Sequence, residues 1–546
     1  MRAISRMVLI SIISAKSYGQ ALIKRTTFYD IDRKMKAEEF TVLASDTSKK
    51  HGKYVKFYPA NSSEIEIMRK VESGKSKRNA LELIELRPEI ETFYQNGVEH
   101  GLHTEYYEMG MKKCEYYVAN GNIDGFYKRF HKNGNVEVSV LYKNGVMQDT
   151  LKRFYPSGAL EATVPILNGK REGQMIQYYE NGNILAIYHY VNDMREGEWK
   201  AFGYKGELIQ RGFYQNDKRT DTLFTYTSEG NIRRINVFRE DKLNGTSIEY
   251  YPNGLICEQT NYQDDKEHGW ARLYYRNGNL KTEALYYKGE LNGNFNTYYE
   301  NGQLCKSMKH ANGKPHGTLE EYYENGKLKT KTYLLNGLIH GEVLQYDMEG
   351  NLRAKLRYEQ NKMTGEQQYF YPNGTLKMIA IYKNEEKDYK QKTYYPSGML
   401  EKEIEYRNEK PFGTWKYYHE NGKIARIETY QDEKLHGEQI WFYPDGKKQW
   451  VYPYFFGKRK GIATEFYPSG KIKQQIEYAM DIPSGKVMRY SESGILQEEG
   501  YLKGDKKFGH WQYYNEEGYL VRSETWKAGE LIKTKEYTPK PHPSKK

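Results

Sequence analysis

The sequence predicts an all-β protein, an elongated array of antiparallel β-hairpins repeating every 24 residues through about 18 units. Three observations carry this. The chain holds 54 tyrosines and 49 glycines against 16 prolines, a composition of pleated strands and tight turns with little aliphatic core. One period runs without insertion from Gly101 to residue 532, and a fixed period of 20 to 50 residues marks a repeat architecture. Within each period an aromatic pair, a turn and an alternating segment follow in the order of a hairpin.

Taken from the N-terminus, residues 1–20 read as a signal peptide. Arg2 and Arg6 give a positive start, Met7 to Ala15 a short apolar run, and Ser17-Tyr18-Gly19 small residues at a cleavage point. The run is too short to span a bilayer. Lys16 directly after it suits a leader poorly, and the alternative is an apolar first strand. A cleaved leader implies an exported protein in the periplasm, the envelope or the medium; an uncleaved one implies the cytoplasm. Residues 21–97 read as a degenerate repeat that caps the array, because an open strand edge otherwise ends it. The segment from His51 begins like a unit but lacks the turn glycine and sits one residue off the frame. RNALELIELRPEIE, from Arg78, suggests a short helical turn.

The array proper spans 101–532. Counting steps from the starting glycine, position nine is Gly and position five aromatic in all 18 units, and position eleven is Ile, Leu or Val in 16. Position seventeen is aromatic in 13 units, and position twenty is Gly, Asp or Asn in 15. The repeat positions of three representative units are Gly173, Tyr178, Gly182, Ile184 and Tyr190; Gly317, Tyr322, Gly326 and Leu328; and Gly413, Tyr418, Gly422, Ile424 and Tyr430. The aromatic pair closes the first strand. Pro, Asn or Ser before the glycine of position nine suits a type I turn followed by a left-handed residue. Positions eleven and seventeen differ by an even number and are expected on one sheet face. Position two, apolar in Trp199, Phe295, Trp415 and Trp511, lies an odd number of steps before position five, so either the strand bulges or both faces carry apolar groups. Residues 533–546 read as a flexible polar tail.

Written at Gly413 as GTWKYYHENGKI, the unit resembles the MORN repeat in its bacterial variant, over 101–532 and weakly from His51. The resemblance implies elongated antiparallel sheets that serve as protein-interaction or lipid-associating scaffolds. Some bacterial proteins with this variant are labelled antitoxin components of toxin–antitoxin modules. That implies a protein partner, although no residue here identifies a toxin.

No residue pattern points to catalysis, a cofactor or a metal. HExxH, P-loop, GxSxG and EF-hand spacings are absent. His100, His268, His316, His340 and His436 each precede a unit-start glycine and recur one per unit, whereas a metal needs several ligands around one point. Cys114, Cys257 and Cys305 lack a CxxC spacing, which argues against a disulfide framework or a zinc site. The net charge of +12 comes from 84 basic and 72 acidic residues spread along the chain, a solvated surface more than a nucleic-acid footprint. The reading is a non-enzymatic exported scaffold that binds a protein partner through an extended sheet surface. The alternatives are a peripheral membrane or envelope-polymer binder and a toxin-neutralising protein.

Overall fold

The computed structural model describes residues 8–12, 21–29, 35–75, 86–383 and 386–538. The rest of the leader segment, residues 78–85 of the expected helical turn, and 539–546 of the tail lie outside the described residues. The chain divides into two compact units, Met1–Gly269 and Trp270–Lys546. Each is a meander of β-strands in which a strand pairs antiparallel with the next, as Gly173–Tyr178 with Ile184–Val191 in the first and Gly317–Tyr322 with Leu328–Leu335 in the second.

Each hairpin tip has the expected turn. At Tyr179 the backbone N–H of Gly182 donates to the Tyr179 carbonyl at 2.9 Å, and the Tyr179 N–H donates to Asn183 at 2.8 Å. The glycine at position nine has φ between 80° and 92° in every unit from Gly110 to Gly518, a backbone region costing an L-residue roughly 1–2 kcal/mol. At the opposite edge two consecutive residues are left-handed, as Asn192 (φ 49°) and Asp193 (φ 71°). This is the two-residue turn whose twist matches that of the strands. Position nineteen therefore carries the same demand as position twenty.

Bulges decide which face each side chain takes. Gln177 pairs with Ala186 but Tyr178 pairs with Ile184, leaving Leu185 over. Even spacing between positions eleven and seventeen is thus interrupted by one extra residue, and the expectation that parity sets their common face fails. The first strand itself is regular from position zero to position five, so positions two and five face opposite sides. Apolar groups on both faces, not a bulge in that strand, explain the odd spacing.

Position two forms the buried column. Trp199, Trp415 and Trp511 are buried there, as are Val343, Ala463 and Val487. Across the strand pair they meet position fifteen: Trp199 faces Gly212, Val343 faces Leu356 and Gln367 faces Ala380, while Trp415 and Trp511 face Glu428 and Glu524. Buried Gln367 and Gln439 occupy the same place for a polar reason. The Trp415 and Trp511 indole N–H groups donate to the Glu405 and Tyr501 carbonyls at 3.0 and 3.1 Å. The Gln367 amide donates to Arg357 at 3.0 Å, a carbonyl at the same repeat position. Trp and Gln thus share this place because each satisfies its own buried N–H on the carbonyl of that repeat position, a carbonyl that in Arg357 and Glu405 also accepts a backbone N–H.

The segment 21–97 is less degenerate than its sequence. Leu22–Phe28 pairs with Lys36–Leu43, and Asp46–Phe57 with Pro88–Gln95. Gly52 (φ 89°) pairs with Tyr94 as a starting glycine pairs with position seventeen. The hairpin tip after Phe57 is enlarged, which displaces the frame and removes the turn glycine. The insertion carries the helix Ser62–Glu72, capped by Asn61 and Glu64 in a reciprocal pair, with Glu64 bound by Arg87 at 2.7 Å. Val8–Ile12, inside the segment read as a leader, pairs with Leu22–Phe28. At the other end Glu530–Glu536 is a strand paired with Leu520–Lys527. Residues 533–536 therefore belong to the sheet and not to a tail.

Candidate functional site

The repeat has two edges and an outer face. Along the tip edge, position six ties each hairpin to the next. The Tyr155 hydroxyl donates to the Tyr178 carbonyl at 2.8 Å, Tyr323 to Tyr346 at 2.8 Å and Tyr467 to Tyr490 at 2.9 Å. His131 and His419 make the same bridge to Phe154 and Phe442. Tyr29 reaches Phe57 and Tyr58 reaches Tyr106, which extends the ladder into the N-terminal segment. The turn asparagine adds a second bridge, as Asn325 to the Met348 carbonyl at 2.9 Å, while its Oδ1 accepts from Lys327 in its own turn. The second tyrosine of the pair and the asparagine of the turn are thus inter-repeat struts.

The opposite edge carries a charged ladder. Asp193 accepts from the Arg171 backbone N–H at 2.8 Å and from its guanidinium at 3.2 Å; Asp217 and Asp241 do the same with Arg195 and Arg219. Those backbone donors hold the three carboxyls below the usual aspartate range. The guanidinium centres lie 4.3, 4.0 and 4.4 Å from the rings of Tyr190, Tyr214 and Phe238, in the range of cation–π attraction.

The outer face bears positions one and sixteen. Within the first unit these are apolar on both strands of two successive hairpins: Leu102 pairs with Tyr117, and Phe126 with Leu141. Phe93, Leu102, Tyr117 and Leu141 are 42, 39, 39 and 46 % exposed. Beside the row Lys128 pairs with Ser139, both half-buried, and the buried Thr104 pairs with Glu115. In the second unit the exposed apolar residues at these positions face a polar partner each time: Tyr333 opposite Thr318, Ile381 opposite Glu366, Ile462 opposite Glu477 and Tyr501 opposite Lys486. Isolated apolar side chains on a surface need no explanation, whereas a contiguous row does. Sequence parity missed this row because the bulges shift the faces.

Among the described residues no three His, Cys, Asp or Glu side chains converge on one point. Before the starting glycines, the backbone N–H groups of His316 and His436 donate to the Lys309 and Thr429 carbonyls at 2.9 Å. The three cysteines are free thiols, and burial pushes the Cys114 thiol up to about 11. Among the described residues no helix is long and apolar enough to cross a membrane.

The MORN repeat variant matches residues 123–144, 171–192, 243–264, 267–288, 291–314, 315–336, 363–384, 387–408, 413–432, 435–449 and 459–480. These segments include Gly173, Tyr178, Gly182, Ile184 and Tyr190, and their counterparts in the units at Gly317 and Gly413. No curated protein matches the chain. Among solved structures, a TcdB2-TccC3-Cdc42 crystal structure aligns at 12 % identity over 92 % of this chain and 27 % of that one, with a TM-score of 0.13. A Photorhabdus luminescens Tc holotoxin pore aligns at 11 % identity over 97 % of this chain and 35 % of that one, with a TM-score of 0.11. The chain thus spans about a third or less of the length of those chains.

Proposed function

The chain is a MORN-repeat protein, and from that premise we propose that it is a non-enzymatic, exported scaffold that binds a protein partner on the outer face of its first unit. The carrying observation is the row Phe93, Leu102, Tyr117, Phe126 and Leu141. An apolar centre with a polar border has the anatomy of a protein interface, and its aromatic members are of the type that supplies binding energy. Regular hairpins behind it fix the spacing of these side chains, so little ordering cost falls on binding. Export rests on the basic start and apolar run of residues 1–20 alone; the pairing of Val8–Ile12 with Leu22–Phe28 stands against a cleaved leader.

A protein partner is favoured over an anionic membrane or envelope surface by the disposition of the lysines. Lys331, Lys355 and Lys392 lie 2.9, 2.8 and 2.8 Å from Glu320, Glu342 and Glu403, which leaves these cations less free for an outside charge. The test is photo-crosslinking in the native host with a photoreactive residue at position 117, and at position 381 as control. One stoichiometric protein captured from 117 and not from 381 is expected. Equal capture at both positions, or crosslinks to lipid or polysaccharide alone, would overturn the reading. A captured protein that is toxic on its own would assign the toxin-neutralising role.

A further inference from the structure

The tip-edge ladder has a gap. The Tyr179 hydroxyl and the Asn181 amide reach the next tip at Phe202 and Tyr204, but the two following units carry Gly203 and Lys205, then Thr227 and Glu229, at the strut positions. Ser228 bonds only its neighbour Glu229, and none of Thr227, Ser228, Glu229 and Asn231 bonds the next tip through its side chain. Where the struts fail, the tips Thr227–Gly230 and Tyr251–Gly254 part around a groove of about 980 Å³. Tyr226, Tyr250 and Tyr251 are its aromatic walls; Glu229, Asn231 and Arg233 are its exposed polar groups.

We infer that this groove binds a neutral oligosaccharide. Three tyrosines line the groove, and aromatic rings pack against the C–H side of pyranose rings; the Tyr226 ring is itself backed by Phe224 at 6.4 Å. Carboxylates, an amide and a guanidinium supply the acceptors and donors that hydroxyl pairs need. The Ser228 hydroxyl helps hold the Glu229 carboxyl below the usual range, so it accepts hydrogen bonds at neutral pH. A phosphate or other anion is disfavoured because Glu249 already faces Arg233, at 3.9 Å, and Arg234. The volume lies at the upper end of ordinary ligand sites, which suits several linked sugars better than one. This inference is independent of the protein-binding row.

The test is saturation-transfer difference NMR on the full chain with cellohexaose, maltohexaose and chitohexaose as probes. Transfer onto the ring protons of at least one probe is expected. It should fall at least tenfold in Thr227→Tyr/Glu229→Asn, which restores both struts and closes the groove, and it should weaken in Arg233→Ala, an exposed side chain whose loss leaves the fold intact. Far-UV circular dichroism checks that both variants are folded. No transfer to any of the three probes, transfer unchanged in both folded variants, or transfer only to a proline- and tyrosine-rich peptide would overturn the inference.

Discussion

Gly500 tests the packing of the buried column. It stands at position fifteen with an ordinary φ, so an alanine there meets no backbone strain; the obstacle is Trp511, 1 % exposed on the neighbouring strand. A Cβ built on Gly500 falls 2.2 Å from Trp511 Cδ2 and 2.4 Å from Cε2. The indole cannot slide away freely, because its N–H is bonded to the Tyr501 carbonyl at 3.1 Å. Gly500→Ala should therefore cost about 1–3 kcal/mol, as overpacking does, and Trp511→Leu should cost a similar amount or more through the cavity it leaves. The double variant should cost less than the two together, since the smaller side chain admits the new methyl. Amide hydrogen exchange of the segment 496–527 in the full chain reads this locally, roughly tenfold faster exchange for each 1.4 kcal/mol of lost opening free energy. Unchanged protection in Gly500→Ala, or additive losses in the double variant, would refute the argument.

Three further outcomes follow from the edges and the thiols. Tyr323→Phe removes one strut and should lower local stability by about 1 kcal/mol, seen as faster exchange near Tyr346; no change there would mean the strut is not stabilising. Asp193, Asp217 and Asp241 have folded pKa values below the unfolded ones, so their contribution is present above about pH 4 and is lost as pH falls through the folded values. Exchange of the 171–241 turns, corrected for intrinsic rate, should rise in that acid window, and Asp217→Asn should flatten the rise around Arg195. Cys114, its thiol raised to about 11, should resist iodoacetamide at pH 8 in the native protein, and labelling at the rate of the urea-unfolded chain would contradict its burial.

The hairpin itself is legible in the sequence, because backbone geometry demands glycine at position nine and no other residue meets the demand as cheaply. Gly110 through Gly518 record that requirement directly. The faces are not legible, since the extra residues at the bulges, such as Leu185, carry no residue-type signature and each reverses the parity on which face assignment depends. Position two hides its common role because Trp and Gln look unrelated until the shared carbonyl acceptor is seen. The two N-terminal hairpins are masked by the enlarged tip after Phe57, although Tyr29 and Tyr58 keep the strut chemistry. The row from Phe93 to Leu141 was not within reach of the sequence: positions one and sixteen differ by an odd number yet face each other across a hairpin, a relation that only the register reveals.

The central claim is that this scaffold engages a protein through that outer row. Affinity capture from the native host with the full chain and with Leu102→Glu/Leu141→Glu tests it most directly, both proteins being checked for equal folding by circular dichroism. One stoichiometric protein should be retained by the parent chain and lost at least tenfold from the variant. Equal retention by the two would contradict the claim.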